Sequence, residues 1–281
     1  MRKIIVTPAG RKRSLEILFN NLKNLKNEFD EWVLWVNTNN LEDIGYMEEL
    51  QRDNDFIKLQ RSEIDVNGSW SIYDFYKKCA EDSIYIRLDD DIVYIREGSI
   101  KDLFEFRANN PDYFLVYGNI VNNGITSHLY QRKGVLYNGF NFGYECMDGN
   151  GWNNPKAAEL IHRTFLKLYE ENRTEDFLLN NWILKDYERC SINVISWIGK
   201  EFLKFDGKVG VDEEDWLSCE KPRKERKPNI IFGNSLFVHY SFYTQKEYLD
   251  ATDILEKYKS ISMGFSSKDK ISHNFLDKIL N

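Results

Sequence analysis

The sequence contains no C-x-x-C pair. Its four cysteines, Cys79, Cys146, Cys190 and Cys219, are scattered, which argues against both a zinc site and a disulfide framework. It has no surplus of positive charge. The formal net charge is −7, so non-specific nucleic-acid binding is not expected to be its task. No apolar run approaches the ~20 residues of a membrane span. The opening run, Met1 to Pro8, is too short for a signal peptide. No low-complexity segment points to disorder. These absences predict a chain without a membrane span in a reducing, cytoplasmic compartment.

What is present is globular in character. The chain has 281 residues, 42% hydrophobic and 15% aromatic, enough for one large α/β domain or two small ones. One stretch stands out, Ser83-Ile84-Tyr85-Ile86-Arg87-Leu88-Asp89-Asp90-Asp91. Ile84, Ile86 and Leu88 alternate with amphipathic neighbours, the period of a strand. The strand runs straight into three carboxylates, whose mutual repulsion calls for a cation, and a hard divalent ion prefers oxygen ligands. In strict strand geometry Asp89 and Asp91 point to one side and Asp90 to the other. An Asp-rich turn at a strand end is the bland alternative.

The pattern before this stretch is regular. A strand at Lys3 to Val6 leads through Thr7-Pro8-Ala9-Gly10 and the cluster Arg11-Lys12-Arg13 to a helix with Leu15, Leu18, Phe19, Leu22 and Leu25 on one side. A strand at Trp32 to Val36 ends at Asn37-Thr38-Asn39-Asn40. A helix around Leu41 to Arg52, a strand at Phe56 to Leu59 and the loop Asn67 to Trp70 follow. Ser71 with Asp74 then reads as a capping box for a helix to Ala80. This β-α-β-α-β-α-β order predicts an open, mostly parallel, Rossmann-like sheet with helices on both faces. Ligands sit at the carboxyl ends of such strands, where Thr7 to Arg13, Asn37 to Asn40, Gly68 to Trp70 and Asp89 to Asp91 all fall.

The remainder is less regular. A helix is expected at Ser99 to Asn109, a strand at Tyr113 to Tyr117, a long loop over 137–154 with Tyr137 and Trp152, helices at Lys156 to Glu171 and Thr174 to Lys185, and a strand at Ile192 to Trp197. A second acidic run, Asp212-Glu213-Glu214-Asp215, abuts Trp216 and Leu217 and could supply a general base. Lys221 to Lys227 reads as an exposed basic linker. His239 lies in an apolar strand, Ser235 to Tyr240, and Thr244 with Glu247 caps a helix through Tyr258. Residues 259–281 read as an appendage with a weak helix near Asn274 to Leu280.

Taken together, an acidic triplet at a strand end, an acidic cluster some 120 residues later and a following His resemble the GT-A fold of nucleotide-diphospho-sugar glycosyltransferases. The resemblance spans 1–258, with a nucleotide-sugar half at 1–118 and an acceptor half at 119–258. It implies metal-dependent transfer of a sugar from a nucleotide-sugar donor to a glycan or other hydroxyl acceptor, with inversion. By that likeness Asp89, Asp91 and His239 would hold Mn²⁺ or Mg²⁺. Thr7, Arg11, Arg13, Asn37, Asn39, Arg87, Asp89 and Asp90 would line the donor. Glu214 is the first candidate base, with Asp215 and Glu213 in the alternative frames. Two other readings stay open, a nucleotidyltransferase of similar architecture and an inactive transferase-fold binding protein.

Overall fold

The computed structural model describes residues 1–66, 69–137 and 139–264. Among them nine strands form one sheet: β1 (Arg2–Ala9), β2 (Glu31–Val36), β3 (Ile57–Arg61), β4 (Ser83–Leu88), β5 (Ile92–Ile95), β6 (Val116–Val121), β7 (Trp182–Leu184), β8 (Val194–Ile198) and β9 (Asn229–His239). The helices are α1 (Lys12–Asn24), α2 (Leu41–Asp53), α3 (Ser69–Tyr76), α4 (Ser99–Asn109), α5 (Gly124–Lys133), α6 (Pro155–Glu170), the short α7 (Gly199–Leu203), α8 (Glu213–Asp215) and α9 (Lys221–Glu225), then α10 (Tyr243–Asp250) and α11 (Ile254–Ser262).

The sheet order is β3-β2-β1-β4-β8-β6-β9-β5, with β7 also on β9. Strands β1 to β4 are mutually parallel, β8 runs against both β4 and β6, and β6 is parallel to β9. Because the sheet is covered on both faces, its central strands are buried throughout rather than alternating with solvent. All six residues of β4 are buried. Ile84, Ile86 and Leu88 pack with Leu15, Leu18 and Leu22 of α1, while Tyr85 on the opposite face stacks on Trp197. The expected α/β architecture with an open, mostly parallel sheet is the one observed.

Several local expectations differ from the structure. Ser71 and Asp74 do not open a helix, since α3 already begins at Ser69. Asp74 instead accepts from Ser62 Oγ and the Glu63 amide. The helix expected over Thr174 to Lys185 is a single turn, Thr174–Phe177, followed by β7, because the edge of β9 offers Trp182 to Leu184 a ladder. The basic stretch from Lys221 forms α9. The helix from Thr244 breaks at 251–253 into α10 and α11. The 118/119 division falls inside β6. The helix near Asn274 to Leu280 lies outside the described residues, as do Asn67 and Gly68.

Candidate active site

Parallel pairing of β1 with β2 and β4 puts their carboxyl ends on one edge. Two of the three ends carry the polar segments read from the sequence, and β4 carries the acids. The β4 strand stops at Leu88. The Asp89 amide donates to the Asn193 carbonyl (2.9 Å), and the Ile92 amide donates back to the Asp89 carbonyl (3.2 Å). The triplet is thus a turn, and strand alternation does not apply to it. The side chains that share a cation are Asp90 and Asp91, not Asp89 and Asp91.

That cation is Arg11. Its Nε donates to Asp90 Oδ1 at 2.9 Å, and a terminal nitrogen lies 3.0 Å from Asp91 Oδ2. The Gly10 amide completes Asp90 at 3.0 Å. Burial pushes the Asp90 carboxyl up against the pull of Arg11. Burial acts the same way on Asp91, but Arg11 and His239 overcome it and hold that carboxyl well below the usual range. Burial would lower the Arg11 value, yet Asp91 and Asp90 carry it above normal.

His239, at the end of β9, reaches the same turn. Its Nε2 stands 3.6 Å from Asp91 Oδ1, and its Nδ1 lies 3.2 Å from the Asn122 carbonyl. With Nδ1–H donating to that carbonyl, a proton on Nε2 is what makes the contact with Asp91 attractive. Burial opposes that proton, but Asp91 outweighs it and the imidazole value rises. The Tyr240 amide donates to the Asp91 carbonyl (2.9 Å), tying β9 to the turn.

Asp89 faces elsewhere. Its Oδ1 accepts from Arg87 Nε and a terminal nitrogen, both at 3.1 Å, and its Oδ2 accepts from Asn193 Nδ2 at 3.0 Å. Arg87 is buried and also donates to Glu213 and to the Tyr76 hydroxyl, which in turn donates to Glu213 at 2.8 Å. Burial pushes the Glu213 carboxyl up while Arg87 and Tyr76 pull it down. Burial likewise penalises the Arg87 charge, but Glu213 raises its value well above normal, and the close guanidinium contact supports the ionised pair. Glu214 accepts from Arg189 Nε at 2.8 Å and from the Cys146 thiol at 3.4 Å. Burial and Glu214 push that thiol up to about 12, so Cys146 is inert as a nucleophile. Asp215 sits one turn into α8, its amide donating to Asp212 Oδ1.

The donor residues read from the sequence separate into groups. Thr7 is fully buried, its hydroxyl accepting from Trp32 Nε1 (3.0 Å). Asn37 lies at the edge, where its Oδ1 accepts from Ser71 Oγ at 2.6 Å. Asn39 is exposed, and its neighbour Asn40 does the local work by capping α2. The basic cluster is dispersed, with Arg11 on Asp90 and Asp91, Lys12 on Glu42 and Arg13 on Asp250.

The expected three-residue metal shell of Asp89, Asp91 and His239 is not assembled. Asp89 is turned to Arg87 and Asn193, and no group of three or more His, Cys, Asp or Glu side chains converges as a metal site among the described residues. Only Asp91 and His239 meet. Sequence reading also missed Asn193, Asn122, Tyr76 and Arg189. Asn122 adopts a left-handed φ of 63°, a conformation Asn tolerates. Tyr76 reaches the site from the end of α3, and Arg189 and Asn193 from the irregular segment before β8.

No protein-family model matches the chain, and no curated protein matches it. Among solved structures, 4-diphosphocytidyl-2C-methyl-D-erythritol synthase from Anaerococcus prevotii is similar at 18% identity over 41% of this chain and 53% of that one, with a TM-score of 0.30. The 2-C-methyl-D-erythritol 4-phosphate cytidylyltransferase of Francisella tularensis is similar at 19% identity, over 42% and 57%, with a TM-score of 0.30. A CMP:2-keto-3-deoxy-manno-octonic acid synthetase, complexed with CTP, is similar at 10% identity over 93% of this chain and 98% of that one, with a TM-score of 0.48. The chain spans just over half the length of the first two.

Proposed function

We propose that the chain is a nucleotide-dependent transferase, with the donor phosphates lying over the carboxyl ends of β1, β2 and β4. The observation that supports this reading is the meeting of Asp90, Asp91, Arg11 and His239 at that edge. Open α/β sheets take ligands there, and buried, mutually perturbed charges cluster at functional sites. In this reading Asn37, held by Ser71, and the exposed Asn39 contact the base or ribose. Arg11 and Arg13 face the phosphates, while Arg87, Asp89 and Asp90 keep the floor of the site rigid. Thr7 acts from inside the sheet by holding Trp32.

Two chemistries fit this edge. Nucleotidyl transfer is favoured by the state of the acidic run, in which Glu213 and Glu214 are each held by an arginine. Attack of an already anionic acceptor on a donor phosphorus needs no protein base. Inverting glycosyl transfer is favoured by Arg87, which brings Glu213 beside Asp89 and so carries the run to the site. There Glu214, or Asp215 next to it, would take the proton of an acceptor hydroxyl.

A thermal-shift panel separates them. Nucleoside triphosphates and nucleotide-diphospho-sugars are each added with manganese, with magnesium and with a chelator, which also reads the metal requirement. A ligand at a hundredfold excess over its dissociation constant stabilises by about 2.7 kcal/mol. A shift with triphosphates alone supports nucleotidyl transfer, and one with nucleotide sugars supports glycosyl transfer. If no nucleotide moves the transition, the proposal fails.

A further inference from the structure

Just past the end of β6, one buried residue carries two costs at once. Asn122 takes a left-handed φ of 63°, and its Oδ1 has no hydrogen-bond partner. Five residues other than glycine adopt a left-handed φ among those described, and Asn122 alone of them is buried. Backbone strain and orphaned polar atoms persist where the surroundings over-determine them, and they gather at functional sites.

We propose that Asn122 and Gln245 are positioning residues for His239. They hold the imidazole by Nδ1 in one tautomer, so that Nε2 is the ring atom turned to Asp91 and the donor edge. Their bearing on transfer rests on the reading above, whereas the hold on the ring does not.

The geometry runs outward from the ring. The ladder between β6 and β9 ends at Val121 with Val238, and the Asn122 carbonyl, one residue on, lies 3.2 Å from His239 Nδ1. A carbonyl only accepts, so it selects the ring with a proton on Nδ1. Asp91 favours a proton on Nε2 instead, but it stands at 3.6 Å, outside ordinary hydrogen-bond range. In the neutral ring the nearer acceptor decides, and Nε2 keeps its lone pair. In the imidazolium both nitrogens carry protons, and Nε2–H is then the donor for Asp91 or for a phosphate beside it. Phe242 fixes the plane of the ring, lying edge-on to it with centroids 4.6 Å apart.

What aims the Asn122 carbonyl is the residue's own side chain. Its Nδ2 donates to the Tyr240 carbonyl and to Gln245 Oε1, each at 3.0 Å. Turning the amide over would set its oxygen against two acceptors, so the orphaned Oδ1 is the better of the two orientations. Gln245 is fully buried in the first turn of α10 and is itself pinned. Its Oε1 also accepts from the Phe242 amide at 3.2 Å, and its Nε2 donates to the Trp152 carbonyl at 3.0 Å. Backbone groups thus fix both amides, because the Tyr240 and Trp152 carbonyls can only accept and the Phe242 N–H can only donate. From Trp152 through Gln245 and Asn122 to His239, every orientation is determined.

The test is NMR of the imidazole nitrogens in the full chain, at a pH that leaves the ring neutral, with H239Q identifying the His239 signals. The parent is expected to show Nδ1–H as the dominant tautomer. Q245E keeps the oxygen that accepts from Asn122 and should keep that tautomer. In Q245A and N122G the share of the Nε2–H form should rise about tenfold, the effect of losing one hydrogen bond. Glycine takes a left-handed φ freely, so N122G keeps the turn and guards against misfolding as the cause. Q245A should also bind nucleotide several-fold more weakly than Q245E in the thermal-shift panel. A network with only a structural role would lower the melting temperature of Q245A and leave the tautomer unmoved. That result overturns the proposal, as does a parent ring protonated on Nε2, or unchanged nucleotide affinity in a variant with mixed tautomers. A parent with the Nδ1–H ring that responds to no nucleotide would leave the hold on His239 standing and remove the transferase reading instead.

Discussion

Asp89–Asp91 and Asp212–Asp215 look alike in sequence, yet the fold treats them differently. The first run is a turn between two buried strands, in which Asp89 takes Arg87 and Asn193 while Asp90 and Asp91 share Arg11, joined by Gly10 and His239 respectively. The second run starts a short helix, so its side chains fan out. Asp212 caps, Glu213 points into the core and Glu214 meets Arg189 nearer the surface. Arg87 joins the two runs by bridging Asp89 and Glu213. An acidic run therefore has no single role. Its backbone conformation decides whether its charges converge or separate.

The sharpest way to break this comparison is to remove the joint. R87A leaves Glu213 buried without its counter-charge, and the expected loss is ~3–5 kcal/mol in chemical denaturation. An R87M/E213M pair should return most of that loss, because apolar side chains of similar volume replace buried ion pairs at little cost. If R87A alone unfolds like the parent, the two runs are not coupled.

Acid stability comes next. His162 is wholly buried, with Nε2 2.8 Å from the Tyr240 carbonyl and Nδ1 3.0 Å from the Tyr258 hydroxyl, and burial lowers its value to about 4. A depressed histidine means that the unfolded chain binds the extra proton, so stability falls as pH drops from about 6.5 towards 4. The size is about 3 kcal/mol, and H162Q should flatten that part of a stability-versus-pH curve. Asp91 acts in a lower window. Its depressed value gives stability that is present above about pH 4 and lost beneath it. Denaturation midpoints through both windows thus separate the first acidic run from the histidine.

D91N should cost about 1–3 kcal/mol, less than R87A, because Arg11 keeps Asp90. It should also lower the His239 value by removing the group that raises it, which an NMR titration of the imidazole reads directly. An unmoved His239 resonance in D91N would show that the Asp91 contact is not what holds the proton. The smallest stability effect is expected for E214Q, within ~1 kcal/mol, since Glu214 is partly exposed and its ion pair is half-solvated. Its activity is the discriminating readout. Under glycosyl transfer it falls by ~10²–10⁴-fold, and under nucleotidyl transfer it does not change.

Legibility in the sequence followed the same divide. Elements β1 to β4 with α1 and α2 fall close to their expected places, because β1, β2 and β3 pair in turn through single βα crossovers and β4 returns to the other side of β1. Beyond Asp91 the pairings become remote. Trp182 to Leu184, expected in a helix, became a strand only because residues 229–231 lay alongside. Asp89 and Asp91 were grouped by strand alternation, and the turn at Leu88 cancelled that rule. His239 meets Asp91, while Asp89 faces Arg87 and Asn193 instead. Asn193 and Arg189 gave no signal, since neither stands in a recognisable pattern.

The sequence alone determined the alternation of strand and helix, the burial of β4 and the delivery of three acids to its carboxyl end. These are local properties, set by side-chain periodicity along a few residues. The tertiary structure decided which counter-charge each acid received. Arg11 is 79 residues from Asp90, Asn193 is 104 from Asp89, and Arg87 is 126 from Glu213. Those meetings exist because β4 lies between β1 and the reversed β8, and strand order of that kind follows from packing the whole sheet, not from any stretch of it.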